Sequence, residues 1–336
     1  MKTVLIIWML FGALTGARVD TTYTNPVGNG LQIADPFVLQ HQGTYYLYGT
    51  SAGDGFKAWR SENLVDWEPI GYVYRRNEDS WGTGSFWAPE VIRYREQFYM
   101  VFSCKGPGDS GLRLGLAVSD EPEGPFLDLR VPWFDDNYSC IDGHLFVDTD
   151  GTPYLFYEQV GSVGEFWNKK GFLWGMIFGV PMSRDLLTMT REPVFCLYAD
   201  QAWEHPESMH ARSVEGMTVF SQNGVYYMTY SANHYADPDY GVGYATAPGP
   251  LGMWTKSEQN PLLARDLSSG VSGPGHNCIT RSPDGREWFI VYHSHRDPEH
   301  PSGNRVLNID RMIFEPDGTL RVIGPTRTPQ PMPSGS

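Results

Sequence analysis

The sequence is poor in cysteine and in basic residues, and beyond its first few residues it has no long apolar run. Four cysteines in 336 residues, Cys104, Cys140, Cys196 and Cys278, exclude a disulfide-dense scaffold. All four lie in apolar, strand-like stretches where buried thiols are common, so their pairing stays open. Lys and Arg number 25 against 39 acidic residues, for a formal charge of −14, and no basic cluster interrupts the chain. Nucleic acid and anionic polymers are therefore poor partners, and neutral substrates fit better. The apolar stretch from Val4 to Phe11, preceded by Lys2, is well short of the roughly 20 residues that a membrane span needs. With small residues following at Ala13, Gly16 and Ala17, it reads as a signal peptide over residues 1–17. A secreted or periplasmic protein is expected, monomeric and without a membrane partner once the leader is cleaved.

Aromatic and turn-forming residues are abundant. Aromatics make up 14% of the chain, and 37 Gly and 25 Pro punctuate it at short intervals, which favours strands and turns over long helices. One pattern recurs five times: a polar residue, an apolar strand, a turn, then an aromatic-rich strand. The copies start at Asp35, Glu90, Asp142, Glu215 and His276, at spacings of 55, 52, 73 and 61 residues. These lengths suit four-stranded blades with loops. Turn glycines at Gly43, Gly151, Gly224 and Gly285 stand where hairpins need them. The predicted fold is all-β: a five-bladed β-propeller of four-stranded antiparallel blades around a central channel, over residues 22–323. The excess between the third and fourth copies, around Gly161 to Lys170 and Tyr198 to Arg212, is expected to be loop on the binding face. Residues 324–336 form a Pro-rich tail, expected to be disordered or loosely attached.

In a propeller the innermost strand of each blade lines the channel, so Asp35, Glu90, Asp142, Glu215 and His276 should converge near the axis. Each has a plainer reading as a turn or strand corner, and five in register weigh against it. Four carboxylates and a histidine gathered there repel one another and are costly to desolvate, which points to chemistry. Two carboxyl groups flanking a sugar are what glycosidic cleavage requires, one protonating the leaving oxygen and the other activating water or attacking carbon. A third carboxylate beside the acid raises its pKa and keeps it protonated.

The stretches Ala34-Asp-Pro-Phe-Val38, Phe86-Trp-Ala-Pro-Glu-Val91, Ile141-Asp-Gly-His-Leu-Phe146, Val214-Glu-Gly-Met217 and Gly273-Pro-Gly-His-Asn277 together resemble glycoside hydrolase family 43. This family includes arabinofuranosidases, β-xylosidases and arabinanases. The resemblance spans about Asn25 to Val322. It implies an inverting mechanism with Asp35 as general base, Glu215 as general acid and Asp142 as the carboxylate that orients the acid and tunes its pKa. No cofactor is required for that chemistry. His276 matches a histidine that in many members helps hold a hydrated metal ion, often calcium, on the axis; the alternative is a satisfied channel histidine with no ion. Arg305, nine residues before Phe314, matches an arginine reaching into the pocket of β-xylosidase-like members, with Arg311 as its competitor. Trp87 and Phe37 are candidates for an apolar wall on which a sugar stacks, although aromatics in blades are more often core. Glu90 is at most pocket lining.

The leading expectation is an exo-acting enzyme that releases a terminal pentose, α-L-arabinofuranose above others, from a polysaccharide or oligosaccharide. β-Xylosidase, endo-arabinanase and galactofuranosidase activities stay open. Family members with an added β-sandwich after the propeller are longer than this sequence, which weakens the xylosidase reading. A retaining, invertase-like enzyme is disfavoured because Arg296-Asp-Pro298 falls after the fifth inner hairpin and Glu215 is followed by Gly216 rather than Cys. The remaining alternative, a non-catalytic carbohydrate-binding propeller, has no need of a tuned acid opposite a base.

Overall fold

The computed structural model describes residues 21–108, 111–134, 139–162, 173–205 and 211–336. The proposed signal peptide lies outside these residues. Five antiparallel sheets follow one another along the chain, each with its strands in sequence order from the channel outward. Their innermost strands are Ala34–His41, Gly84–Tyr94, Ser139–Val147, Val214–Gln222 and Gly275–Arg281. Each is joined to the second strand by a hairpin, and Asn223 and Gly224 take φ of 52° and 79°, the twist a two-residue hairpin requires. The architecture is the five-bladed propeller read from the repeats.

Apolar side chains on the two faces of each blade pack against the neighbouring blades. Tyr48, Phe56 and Tyr74 of the first blade interlock with Phe86, Met100 and Phe102 of the second. Equivalent clusters lie between blades two and three, three and four, and four and five. A fifth cluster, with Val38, Leu47, Phe289 and Leu307, joins the last blade to the first and closes the ring. Cys104, Cys196 and Cys278 are buried free thiols within these layers, and Cys140 is buried too. No helix among the described residues is long and apolar enough to cross a membrane.

Two expectations are corrected. The third blade has a fifth strand, because Ala211–Arg212 pairs in parallel with Leu173–Pro181. Within the stretch read as loop, the turn Ala202–Glu204 is anchored by fully buried Glu204, which accepts from Lys256 Nζ at 2.6 Å and from the Tyr230 hydroxyl at 2.6 Å. Residues 163–172 lie outside the described ones. The second correction concerns the Pro-rich tail, which is bonded in place. Gln330–Pro331 pairs antiparallel with Thr22–Tyr23, and Met332 packs on the cluster that closes the ring. Thr326 donates to buried Asp310 at 2.5 Å, and Arg327 donates to Asn308 Oδ1 at 2.6 Å and to Ser294 Oγ at 3.0 Å. Proline limits the tail to a two-residue strand, Gln330–Pro331, and leaves its other side chains to bind polar groups on the last blade.

Candidate active site

Every innermost strand carries a β-bulge near its start, where two residues face one on the second strand. The residue that opens the bulge takes positive φ in all five blades: Asp35 at 52°, Ala88 at 45°, Asp142 at 54°, Gly216 at 54° and His276 at 47°; blade two has an additional bulge one step earlier, opened by Ser85 at 52°. This backbone signature gives the true phase of the repeats. Asp35, Asp142 and His276 are equivalent, as expected. Glu215 stands one residue before its bulge and Glu90 two residues after, so the ring at the equivalent position is Asp35, Ala88, Asp142, Gly216 and His276. Glu215 shares its register with Trp87, and Glu90 shares its register with Phe37.

Second-strand residues stitch these bulges together. The Asp35 N–H donates to His293 Nδ1 at 3.1 Å, and the Ala88 N–H to Thr50 Oγ1 at 2.8 Å. The Asp142 N–H donates to Ser103 Oγ at 3.0 Å, and the His276 N–H to Ser231 Oγ at 2.7 Å. In each case the acceptor belongs to the preceding blade. Blade four differs, because the Gly216 N–H donates to the Asp142 carboxylate at 3.0 Å. Asp142 is thereby bonded to the residue next to Glu215.

Asp35 is buried with its carboxylate fully engaged. Arg305 donates to Oδ1 at 2.9 Å, and Thr50 donates to Oδ2 at 2.5 Å. His276 Nδ1 lies 3.4 Å from Oδ1. Burial alone would raise its pKa, but Arg305, His276, His293 and the Thr50 hydroxyl outweigh burial and hold Asp35 below the ordinary carboxylate range. The other two carboxyls shift the opposite way. Burial, with the charges of Glu215 and Asp35 added, pushes Asp142 up to about 7 against the pull of His276. Burial likewise raises Glu215, whose Oε1 accepts from the Tyr240 hydroxyl at 2.5 Å. His276 keeps its proton more tightly than usual: burial opposes the charge, and Asp35, Asp142 and Glu215 more than compensate. One side of the site therefore holds an ionised carboxylate, while the other holds a protonatable pair with an imidazolium between.

The remaining expected residues separate clearly. Arg305 and Trp87 line an open cleft of about 520 Å³ formed by residues 32–34, 50–53, 85–87 and 303–305. Asp35 borders it through Thr50 and Arg305, and Trp87 is 39% exposed there. Arg311 is bound elsewhere, to Glu287 at 2.7 Å. Phe37 packs into two interblade clusters, as its register after the bulge requires, and is not among the cleft walls. Glu90 stands two residues further along its strand than Ala88, 2.6 Å from His144 Nδ1, while the His144 Nε2 accepts the Val219 N–H at 3.0 Å.

Asp142, Glu215 and His276 offer donor atoms within 4.8 Å of one another. A calcium ion takes six to eight oxygens. Here two carboxylates and one imidazole, which is not a preferred calcium ligand, supply the donors, so water would have to fill most of such an ion's shell.

Several residues at the site were not read from the sequence. Tyr240, His293, Thr50 and Ser103 carry no local motif. Glu158 gives a clearer signal, being a charged residue in the otherwise apolar strand run Tyr154-Leu-Phe-Tyr-Glu158. It is fully buried, hydrogen-bonded to the Ser213 hydroxyl at 2.5 Å, and its Oε2 has no partner among the described residues. Burial, reinforced by Glu215 and Asp142, keeps it protonated well above the ordinary range. The folded protein thus holds a proton that the unfolded chain releases above about pH 4.3. Stability is lost as pH rises from that value toward the raised folded value. Glu158→Gln is expected to fold and to flatten this decline, read as a smaller drop in melting temperature between pH 5 and pH 8 than the parent shows.

The chain matches the model of glycosyl hydrolases family 43 over residues 23–320. It is similar to a crystallised thermostable family-43 glycoside hydrolase, with 47% identity and a TM-score of 0.88 over 94% of this chain and all of that one. It is 28% identical to a β-D-galactofuranosidase of Aspergillus niger, covering 90% of this chain and 85% of that protein. An α-L-arabinofuranosidase of Humicola insolens is 27% identical over 86% of this chain, which spans only 61% of that longer protein. The propeller and this match along nearly its whole length lead to one assignment: the chain belongs to glycosyl hydrolases family 43, inverting glycosidases that need no cofactor for catalysis.

Proposed function

We propose that Asp35 is the general base, Glu215 the general acid and Asp142 the residue that orients Glu215 and holds its proton. The observation that carries this reading is the opposite tuning of the carboxyls. Arg305 and the histidines keep Asp35 ionised, while burial and mutual repulsion keep a proton on the Asp142–Glu215 pair. Asp35 takes a proton from water as its oxygen attacks the anomeric carbon. Glu215 gives its proton to the departing glycosidic oxygen, and the carbon inverts. Asp142 acts through its bond to the Gly216 N–H, which fixes the backbone beside the acid. Arg305 and Trp87, at the cleft, are positioned to meet the sugar. A calcium ion near His276 would have to be shelled largely by water, and no step depends on it.

The substrate proposed is a terminal furanose, with α-L-arabinofuranose first and β-D-galactofuranose second, released from an exported position outside the cytoplasm. The two sugars share ring stereochemistry and differ in the side chain at C4, and both kinds of activity occur among the relatives' names. The test is a panel of aryl arabinofuranosides, galactofuranosides and xylosides, run beside arabinan, arabinoxylan, xylan and galactan with product size recorded. Monosaccharide release led by the furanosides is expected. Cleavage confined to internal bonds of a polymer would overturn the exo assignment.

A further inference from the structure

Tyr240 sits at the end of the segment that joins the second and third strands of blade four, held by its N–H to the Asp237 carbonyl at 3.1 Å. It is fully buried, and its hydroxyl is 2.5 Å from Glu215 Oε1. The ring lies flat on His293, with centroids 5.7 Å apart and planes 9° from parallel. His293 accepts the Asp35 N–H. A continuous line of contacts therefore runs from Glu215 through Tyr240 and His293 to the backbone of Asp35. Space for the ring comes from Gly275, where a Cβ would lie 2.1 Å from Tyr240 Cε1. Burial raises the phenol's pKa far enough that it stays a donor.

From this we infer that Tyr240 is a positioning residue for proton delivery. Its O–H occupies Oε1 of Glu215, so the proton bound for the leaving group is carried on Oε2, and the stacked imidazole sets the distance between that oxygen and Asp35. A carboxylic acid free to rotate would present either oxygen, and an error of about 1 Å in such a group can cost about 100-fold in rate. The inference rests on Glu215 being the general acid.

The test uses leaving-group dependence, because proton delivery matters only where the departing oxygen needs a proton. The sugar is whichever of the panel above is turned over fastest, presented as its phenyl and its 2,4-dinitrophenyl glycoside. Tyr240→Phe is expected to lower kcat on the phenyl glycoside about 30-fold and on the dinitrophenyl glycoside less than about threefold, with KM little changed on both. Equal losses on the two substrates, or none on either, would overturn the inference. Thermal melts establish folding. If Tyr240→Phe melts too low for the standard assay, the same two glycosides are compared at a temperature below its midpoint, where the split should persist. Glu215→Gln is run alongside. If it lacks the split, the acid assignment fails; if it shows the split and Tyr240→Phe does not, only the role of Tyr240 fails.

Discussion

Asp35→Asn is expected to lower kcat by about 10⁴, with a far smaller change in KM. The asparagine keeps the shape of the side chain and a carbonyl oxygen for Arg305, so the loss isolates the proton-accepting function. The pH profile supplies a second readout. In the parent, the acidic limb reports Asp35, which stays ionised until pH falls below the ordinary carboxylate range. The basic limb reports the Asp142–Glu215 pair, with Asp142 near 7. Removing the negative charge of Asp35 makes ionisation of that pair easier, so the residual activity should lose its acidic limb, and its basic limb should move to lower pH. Retention of near-parental turnover, or a basic limb moved upward, would contradict the roles assigned to these carboxyls.

Removal of residues 324–336 is expected to cost about 4 kcal/mol of stability, as roughly 8 °C in melting temperature. The reason is the set of buried groups left without partners. Asp310, nearly inaccessible and pushed by burial up to about 6, would lose both the Thr326 hydroxyl and its N–H. Asn308 would lose Arg327, and Arg311 would lose the carbonyls of Pro331 and Met332, each at 3.0 Å. Arg327→Ala alone should account for about half of the loss, because charge-assisted bonds to buried acceptors are the stronger ones. Melting curves of the full and shortened chains decide the matter, and an unchanged midpoint would mean the tail is ornamental.

The blades were legible in the sequence because each hairpin joins an alternating apolar strand to an aromatic one, in four of the five across a glycine that adopts positive φ and in the second across Arg95, which takes φ of 56°. The bulges were not, since nothing in the residue types marks which position opposes half a partner. Aligning the copies on their polar residues therefore placed Asp35, Asp142 and His276 in phase and set Glu215 one residue off and Glu90 two. The same offset explains why Trp87 faces the cleft and Phe37 does not. Tyr240 and His293 were missed for a different reason. They are separated by more than fifty residues and meet only because blades four and five are adjacent. The tail misled because proline content argues against strands, whereas its attachment relies on Thr326, Arg327 and Ser334 binding polar groups on the last blade.

The five bulges give the channel five equivalent addresses, of which only three carry a charged side chain. Ala88 and Gly216 leave the other two blank, and the blank at Gly216 is enforced, since a Cβ there would lie 3.0 Å from His276 Cγ. A scaffold with near-fivefold regularity thus acquires a single orientation through omission. Its carboxyls and histidine are held on fixed spokes of the ring, set by the backbone of the strands and not by a loop.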